Sequence, residues 1–307
     1  MKPAFLLLVF LWVAAVAQGT ITAEDQNGES LSVTDIISKV NENLTSPLLH
    51  DDIMMPSTRN AVPCTSRGCK WRKYGRYVYI PIYISSSYSR AQRSFIIRAL
   101  LTFHRTTCIR FVWRRRHYSY LYFFSGSGCW SYMGRQGGRQ LVSLRRNGCL
   151  YTGTIQHEVL HALGFAHEQV RSDRDRYVRI LYQNIQSGKQ HNFRRLQTNN
   201  LWTRYDYNSV MHYSKYAFSK NGQPTIVARS NPNLNFGRAT YMSYNDVQRV
   251  KRLYRCCEYK HGKVKSNCGN IKTLLAAHRV SRFLRNQIDD SEKKSRPADA
   301  WTCSSSG

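Results

Sequence analysis

Apolar positions recur along the chain with two periods, and the switches between them mark out the elements. Tyr77 to Ser85 is aromatic and β-branched at nearly every position, which predicts a strand. Ser89 to His104 carries Phe95, Ile96, Leu100, Leu101 and Phe103 at helical spacing, which predicts a helix with one buried face. Ile109 to Trp113, Tyr118 to Phe124 and Leu141 to Leu144 read as further strands. Thr154 to Phe165 reads as a helix whose apolar residues Val159, Leu160 and Leu163 spread round the axis, as in a buried helix. Ser243 to Tyr254 predicts a last helix with Val247, Val250 and Leu253 on one face. Weaker patterns allow short helices over Leu31 to Val40 and, with a basic face, Ile271 to Phe283. Strands and a helix precede residue 154, and irregular chain and helices follow. That order predicts an α+β fold of two lobes with a cleft between them.

The ends of the chain follow other rules. After Met1-Lys2, Ala4 to Val16 is almost continuously apolar, and Ala15-Val16-Ala17 supplies small residues for cleavage. The run is shorter than the roughly 20 residues that span a bilayer, so a signal peptide over 1–17 and no membrane span are expected. Residues 18–59 are polar and acidic, with seven acidic and two basic side chains. Residues 60–256 hold the strong periodicity. Residues 257–307 are basic, rich in Ser and Lys towards the end, and read as a flexible tail without repeats.

Charge sharpens the picture. The formal net charge is +28, and residues 60–256 carry 33 basic against six acidic side chains. Such a surface fits a nucleic-acid binder, or a secreted protein held on an acidic extracellular matrix. The apolar leader favours the second, with no nucleic acid expected. Nine cysteines also fit an oxidising compartment, and an odd count leaves at least one free or intermolecular thiol. Cys256 and Cys257 are adjacent and could exchange partners. Asn43-Leu44-Thr45 is a candidate glycosylation site at Asn43.

The chemistry concentrates in His157-Glu158-Val159-Leu160-His161-Ala162-Leu163-Gly164-Phe165-Ala166-His167-Glu168. His157 and His161 lie on one helical face and can hold one Zn²⁺. Gly164 can take a positive φ, so the chain leaves the helix and returns His167 as a third ligand. Glu158, beside the first ligand, is placed to take a proton from the attacking water. Ser209-Val210-Met211-His212-Tyr213 supplies the later Met-turn of the metzincin signature.

These motifs, with the run His167 to Asp175, Cys129-Trp130-Ser131-Tyr132 and Asn60-Ala61-Val62-Pro63-Cys64, resemble the astacin family. Within it they are similar to the six-cysteine astacins that include fish hatching enzymes, over about residues 60–256. The resemblance implies a two-lobed metzincin (zincin-like) catalytic domain, with a mixed sheet and the zinc helix in the N-terminal lobe. It implies a monomeric, secreted endopeptidase with one Zn²⁺ on His157, His161 and His167 and Glu158 as base. Met211 forms a floor under the metal. Tyr213 is a fifth-ligand candidate that turns to stabilise the oxyanion. Disulfides Cys64–Cys69, Cys108–Cys256 and Cys129–Cys149 are implied, leaving Cys257, Cys268 and Cys303.

It also implies a zymogen with residues 18–59 as propeptide and a cut after Arg59. Leu49-His50-Asp51-Asp52 partly matches the family's Phe-x-Gly-Asp switch, with Asp52 at the blocking position. Glu168 would meet the new amino terminus at Asn60, or pair with Arg171 or Arg174. The implied substrate is an extracellular protein, first an egg envelope or other acidic matrix, with storage of the zymogen in granules. Alternatives are another six-cysteine astacin with a tissue or immune role, or a basic matrix-binding protein with an inactive protease fold.

Overall fold

A computed structural model describes residues 31–45, 48–55, 69–257, 259–260 and 263–264. The expected signal peptide, Arg59, Asn60, Cys64, the helix over 271–283, Cys268 and Cys303 lie outside the described residues. The first element is helix α1, Val33–Asn41, capped by the Ser32 side chain. Two short strands follow, β1 (Leu48–Leu49) and β2 (Ile53–Met54). Next come β3 (Lys73–Tyr74), β4 (Tyr77–Ile84), helix α2 (Arg90–Thr106), β5 (Ile109–Trp113), β6 (Tyr120–Phe124), β7 (Cys129–Tyr132) and β8 (Arg139–Leu144). Helix α3 (Thr152–Ala162) carries the histidine motif. Beyond it only short elements remain before the last long helix: β9 (Val178–Ile180), β10 (Ile226–Ala228) and then α4 (Tyr244–Leu253).

The strands β1 to β8 form one mixed sheet. Its centre is parallel: β4 pairs with β5 and β6, and β6 with β8. β7 returns antiparallel to β8, so it stands at the margin of that body. β2 pairs parallel with β7, Ile53 opposite Ser131 and Met54 opposite Tyr132. The inward residues Val78, Ile80, Ile82, Ile109, Phe111, Leu121 and Phe123 are all within 1% of full burial. They share one core with Ile96, Leu100 and Phe103 of α2 and Ile155, Val159 and Leu160 of α3. Each fully buried apolar side chain of this size contributes about 1.5–3 kcal/mol. A second, smaller core of Val178, Phe193, Tyr205, Tyr213, Ile226 and Phe236 sits beyond α3. The two cores are the two lobes.

α2 starts with a capping box, Ser89 and Gln92 each satisfying the other's backbone N–H. α4 starts with the same device from Ser243 and Asp246. Disulfides join Cys108 to Cys256 and Cys129 to Cys149. The first ties the start of β5 to the chain after α4. Cys257 is also disulfide-bonded. The expected Cys64–Cys69 bridge falls on Cys64, outside the described residues, and among those residues no disulfide is made by Cys69. Its carbonyl accepts from the Arg135 N–H at 2.7 Å, which holds Cys69 against the β7–β8 loop, and no described cysteine stands within bonding reach of it.

Candidate metal centre and active site

Helix α3 presents His157 and His161 one turn apart, and Gly164 ends it. With φ +103, Gly164 occupies a region closed to most side chains, and Phe165 N–H then returns to the Leu160 carbonyl. That turn delivers His167, and all three imidazoles are fully buried. His157 Nδ1 meets the Val210 carbonyl at 2.8 Å, and His161 Nδ1 meets the Phe165 carbonyl at 2.7 Å. A carbonyl only accepts, so each Nδ1 donates and each Nε2 keeps a lone pair. Yet the Nε2 atoms of His157 and His161 lie 3.0 Å apart, with that of His167 3.2 Å from His157. Lone pairs converging in a buried space repel unless a cation stands among them. Burial holds the His167 imidazole neutral, its pKa lowered to about 3 against the opposing pull of Asp52. The donor set fits Zn²⁺.

Asp52 completes the group. Its carboxylate lies 3.0 Å from His157 Nε2, 3.1 Å from His167 Nε2 and 3.4 Å from His161 Nε2. The four ligand atoms all lie within 4.8 Å of one another. Burial favours a neutral Asp52, but the three histidines outweigh it and hold the carboxyl well below its usual range. The backbone at Asp51 has φ +72, where the resembling pattern carries glycine, so an aspartate here accepts a strained conformation. Its side chain lies 3.3 Å from Lys189, while burial raises its pKa to about 6.

Glu158 follows the first ligand and is 0% exposed. Neither carboxylate oxygen has a hydrogen-bond partner. Burial, and then the charge of Asp52, push its pKa well above the usual carboxylate range. A buried carboxyl with no internal partner is arranged to exchange a proton with something that enters.

Tyr213, the fifth-ligand candidate, faces the segment that carries Asp52. Its phenol donates to the His50 carbonyl at 2.6 Å. The Asp52 carboxylate fills the remaining side of the histidine group, which leaves the phenol turned to the backbone beside it. Burial, and then the charges of Asp52 and Asp51, keep that phenol protonated. Met211 is 2% exposed within the first core. The neighbouring Val210 carbonyl is the one that orients His157. His212 bonds to Tyr205 and to the Tyr213 carbonyl, so it takes no part in the metal group.

Glu168 has the expected Arg171 as a partner, but not Arg174, and its strongest partner was not foreseen. Arg249 of α4 grips both of its oxygens, at 2.5 and 2.7 Å, Arg171 adds a bond at 3.0 Å and the Asp206 N–H one at 2.7 Å. Arg174 instead bonds Asp175 and the carbonyls of Gln169 and Phe193. Two residues of this site escaped the sequence reading. Asp246 accepts from Ser209 Oγ and Val210 N–H, fixing the Met-turn, and Arg249 clamps Glu168. Their one sequence signal is the Ser243–Asp246 cap of α4.

The profile of the astacin peptidase family matches residues 67–255. The chain belongs to the astacin family. High choriolytic enzyme 2 of Oryzias latipes is 47% identical over 218 residues, covering 70% of this chain and 78% of that protein. Low choriolytic enzyme of the same fish is 40% identical over 265 residues, covering 82% and 98%. The solved structure of High choriolytic enzyme 1, described as a hatching enzyme zinc-protease, aligns with a TM-score of 0.61 at 47% identity, covering 64% of this chain and 100% of that one. This astacin is therefore a zinc metalloendopeptidase with the α+β fold of its family, and its buried histidine group is suited to the zinc. No helix among the described residues is long and apolar enough to cross a membrane.

Proposed function

We propose that this astacin is secreted as a zymogen and, once cut after Arg59, cleaves extracellular matrix proteins, with the egg envelope as substrate. The observation that carries the latency is the Asp52 carboxylate lying within 3.4 Å of all three histidines. The choice of envelope is supported by the relatives, whose names describe choriolytic enzymes.

In the mature enzyme His157, His161 and His167 hold zinc through Nε2, and the Nδ1 bonds of His157 and His161 keep those two rings aimed. Zinc, when bound, supplies acidity to a water and a positive charge for the carbonyl oxygen. Glu158 accepts the water's proton on its carboxylate and passes it to the leaving nitrogen. With residues 31–55 gone, Tyr213 loses the His50 carbonyl, and its phenol is free to donate to the oxyanion. The margin of β7 that β2 occupies becomes available to a substrate backbone. Asn60 then becomes the new terminus, an added partner for a Glu168 already neutralised by two arginines.

The test is to incubate mature enzyme with isolated egg envelopes and sequence the new amino termini. Cuts within envelope proteins should vanish with a zinc chelator and return with added zinc. Chelator-sensitive cleavage of a model peptide with no cut in the envelope would reject the substrate and leave the enzyme class standing.

A further inference from the structure

Between Asp52 and Glu158 the chain contains no aspartate or glutamate, although it holds 18 lysines and arginines. That stretch supplies β3 to β8 and α2, nearly the whole N-terminal lobe. One face of its sheet packs on α2 and α3. On the other, the in-register residues include Tyr83 on β4, Tyr122 on β6 and, one strand further, Arg139 on β8, which is opposite Tyr120. Tyr83 and Tyr122 stand outside the core, while Tyr120 is buried at 7% exposure beneath Arg114. Tyr83 is 42% exposed, and Arg114 and Arg139 are exposed.

The guanidinium groups on this face lie against rings. Arg110 sits 4.3 Å from the Tyr77 centroid, Arg114 4.0 Å from Tyr120 and Arg139 5.6 Å from Tyr122. Stacking of this kind holds a guanidinium in place. Arg110 turns its Nη1 to the Thr107 and Ile109 carbonyls, while the exposed Arg114 and Arg139 are the ones with edges to bond outward. No carboxylate of the lobe is there to take those bonds. Of the 33 basic residues in 60–256, 27 are arginines. That composition suits bidentate recognition of oxyanions better than diffuse attraction.

We propose that this outer sheet face is a binding site for a sulfated polysaccharide. Sulfate groups take the outward guanidinium edges, and the tyrosine hydroxyls bond to sugar hydroxyls. A single-stranded nucleic acid also likes arginine and aromatic rings, but its bases need open ring faces. Here Tyr83 and Tyr122 stack on each other at 5.3 Å and 5° between planes, and Arg139 covers Tyr122. An acidic polypeptide would have no use for the row of phenols. The site is separate from the cleft, so it tethers the enzyme without touching Glu158. It deepens the matrix reading by naming a ligand, yet binding here does not require that reading to hold.

The experiment measures binding of the full chain to immobilised heparin, a sulfated polysaccharide, with polyglutamate and a single-stranded oligonucleotide as competitors. The double variant Arg114→Ser/Arg139→Ser should lose on the order of tenfold or more in affinity, as for lost charge-assisted bonds. Arg90→Ser/Arg105→Ser removes the same charge from exposed positions on α2 and should lose only about twofold. Arg139→Lys, which keeps the charge without the fork, should also weaken binding. After activation, every variant should hydrolyse a short neutral peptide normally, which reports a sound fold and an intact cleft. Equal losses in the two double variants, full binding by Arg139→Lys, or better competition by polyglutamate or the oligonucleotide would each overturn the proposal. If heparin binding follows the expected pattern but no peptide is hydrolysed, the protease reading fails and this one stands.

Discussion

In the proposed zymogen Asp52 occupies the place at the histidine group that a substrate or water takes later, so its removal separates blocking from folding. Asp52→Ala should give an uncleaved chain that hydrolyses a short peptide measurably, while the uncleaved parent stays near background in the same assay. Tyr213 donates its phenol to the His50 carbonyl, in the segment proposed to leave on activation. Tyr213→Phe should therefore fold normally and bind zinc, and lower kcat about 10²-fold with little change in KM, as for loss of an oxyanion donor. Steady-state kinetics of the mature variant checks this. At this scale the sequence was most legible where geometry is local. The spacing of His157 and His161 and the turn at Gly164 together dictate three ligands without knowledge of the rest of the fold. Arg249 was invisible for the opposite reason. It meets Glu168 across 81 residues, and nothing near either residue announces the pair.

Elements extend the same division. Long helices and central strands were readable because each buries a regular face. α2 runs from Arg90 to Thr106 and β5 from Ile109 to Trp113, close to the periodic pattern. The two-residue strands β1 and β2 had no pattern to show, since they exist only by pairing with each other and with β7. α1 docks through particular contacts. Asn41 donates to the Asp51 and Cys129 carbonyls and accepts from the Cys129 N–H. Gly153 leaves the room: a Cβ there would lie 2.1 Å from the Thr240 carbonyl and 2.5 Å from Val33. Asn41→Ala strands three buried backbone groups and costs about 1–3 kcal/mol for each left unpaired. Peptide hydrolysis by the uncleaved Asn41→Ala chain should rise at least about tenfold over the uncleaved parent. In the catalytic lobes, Arg249→Met leaves Glu168 short of its strongest partner. Thermal unfolding should show a loss of about 3 kcal/mol, since breaking one side of a buried pair leaves an uncompensated charge.

Over the whole molecule, charge separates the proposed pro-segment from the rest. Residues 18–59 carry seven acidic and two basic side chains, while residues 60–256 carry a net +27. In the proposed activation, opposite charge would favour docking of the segment before the cut and retention on an acidic matrix after it. Salt should release the mature enzyme from matrix as the Debye length falls from about 10 to 3 Å, while hydrolysis of a neutral peptide changes much less. Equal losses in both assays would remove the basic surface from the account.

The central claim is that one buried histidine group holds zinc and one unpartnered carboxyl beside it moves the proton. The direct measurement is zinc content and peptide turnover of the mature Glu158→Gln variant, side by side with the parent. Loss of the base should leave about one zinc per chain and remove turnover by about 10²–10⁴-fold. A variant that keeps its zinc and turns over at the parent's rate would contradict the account at its centre.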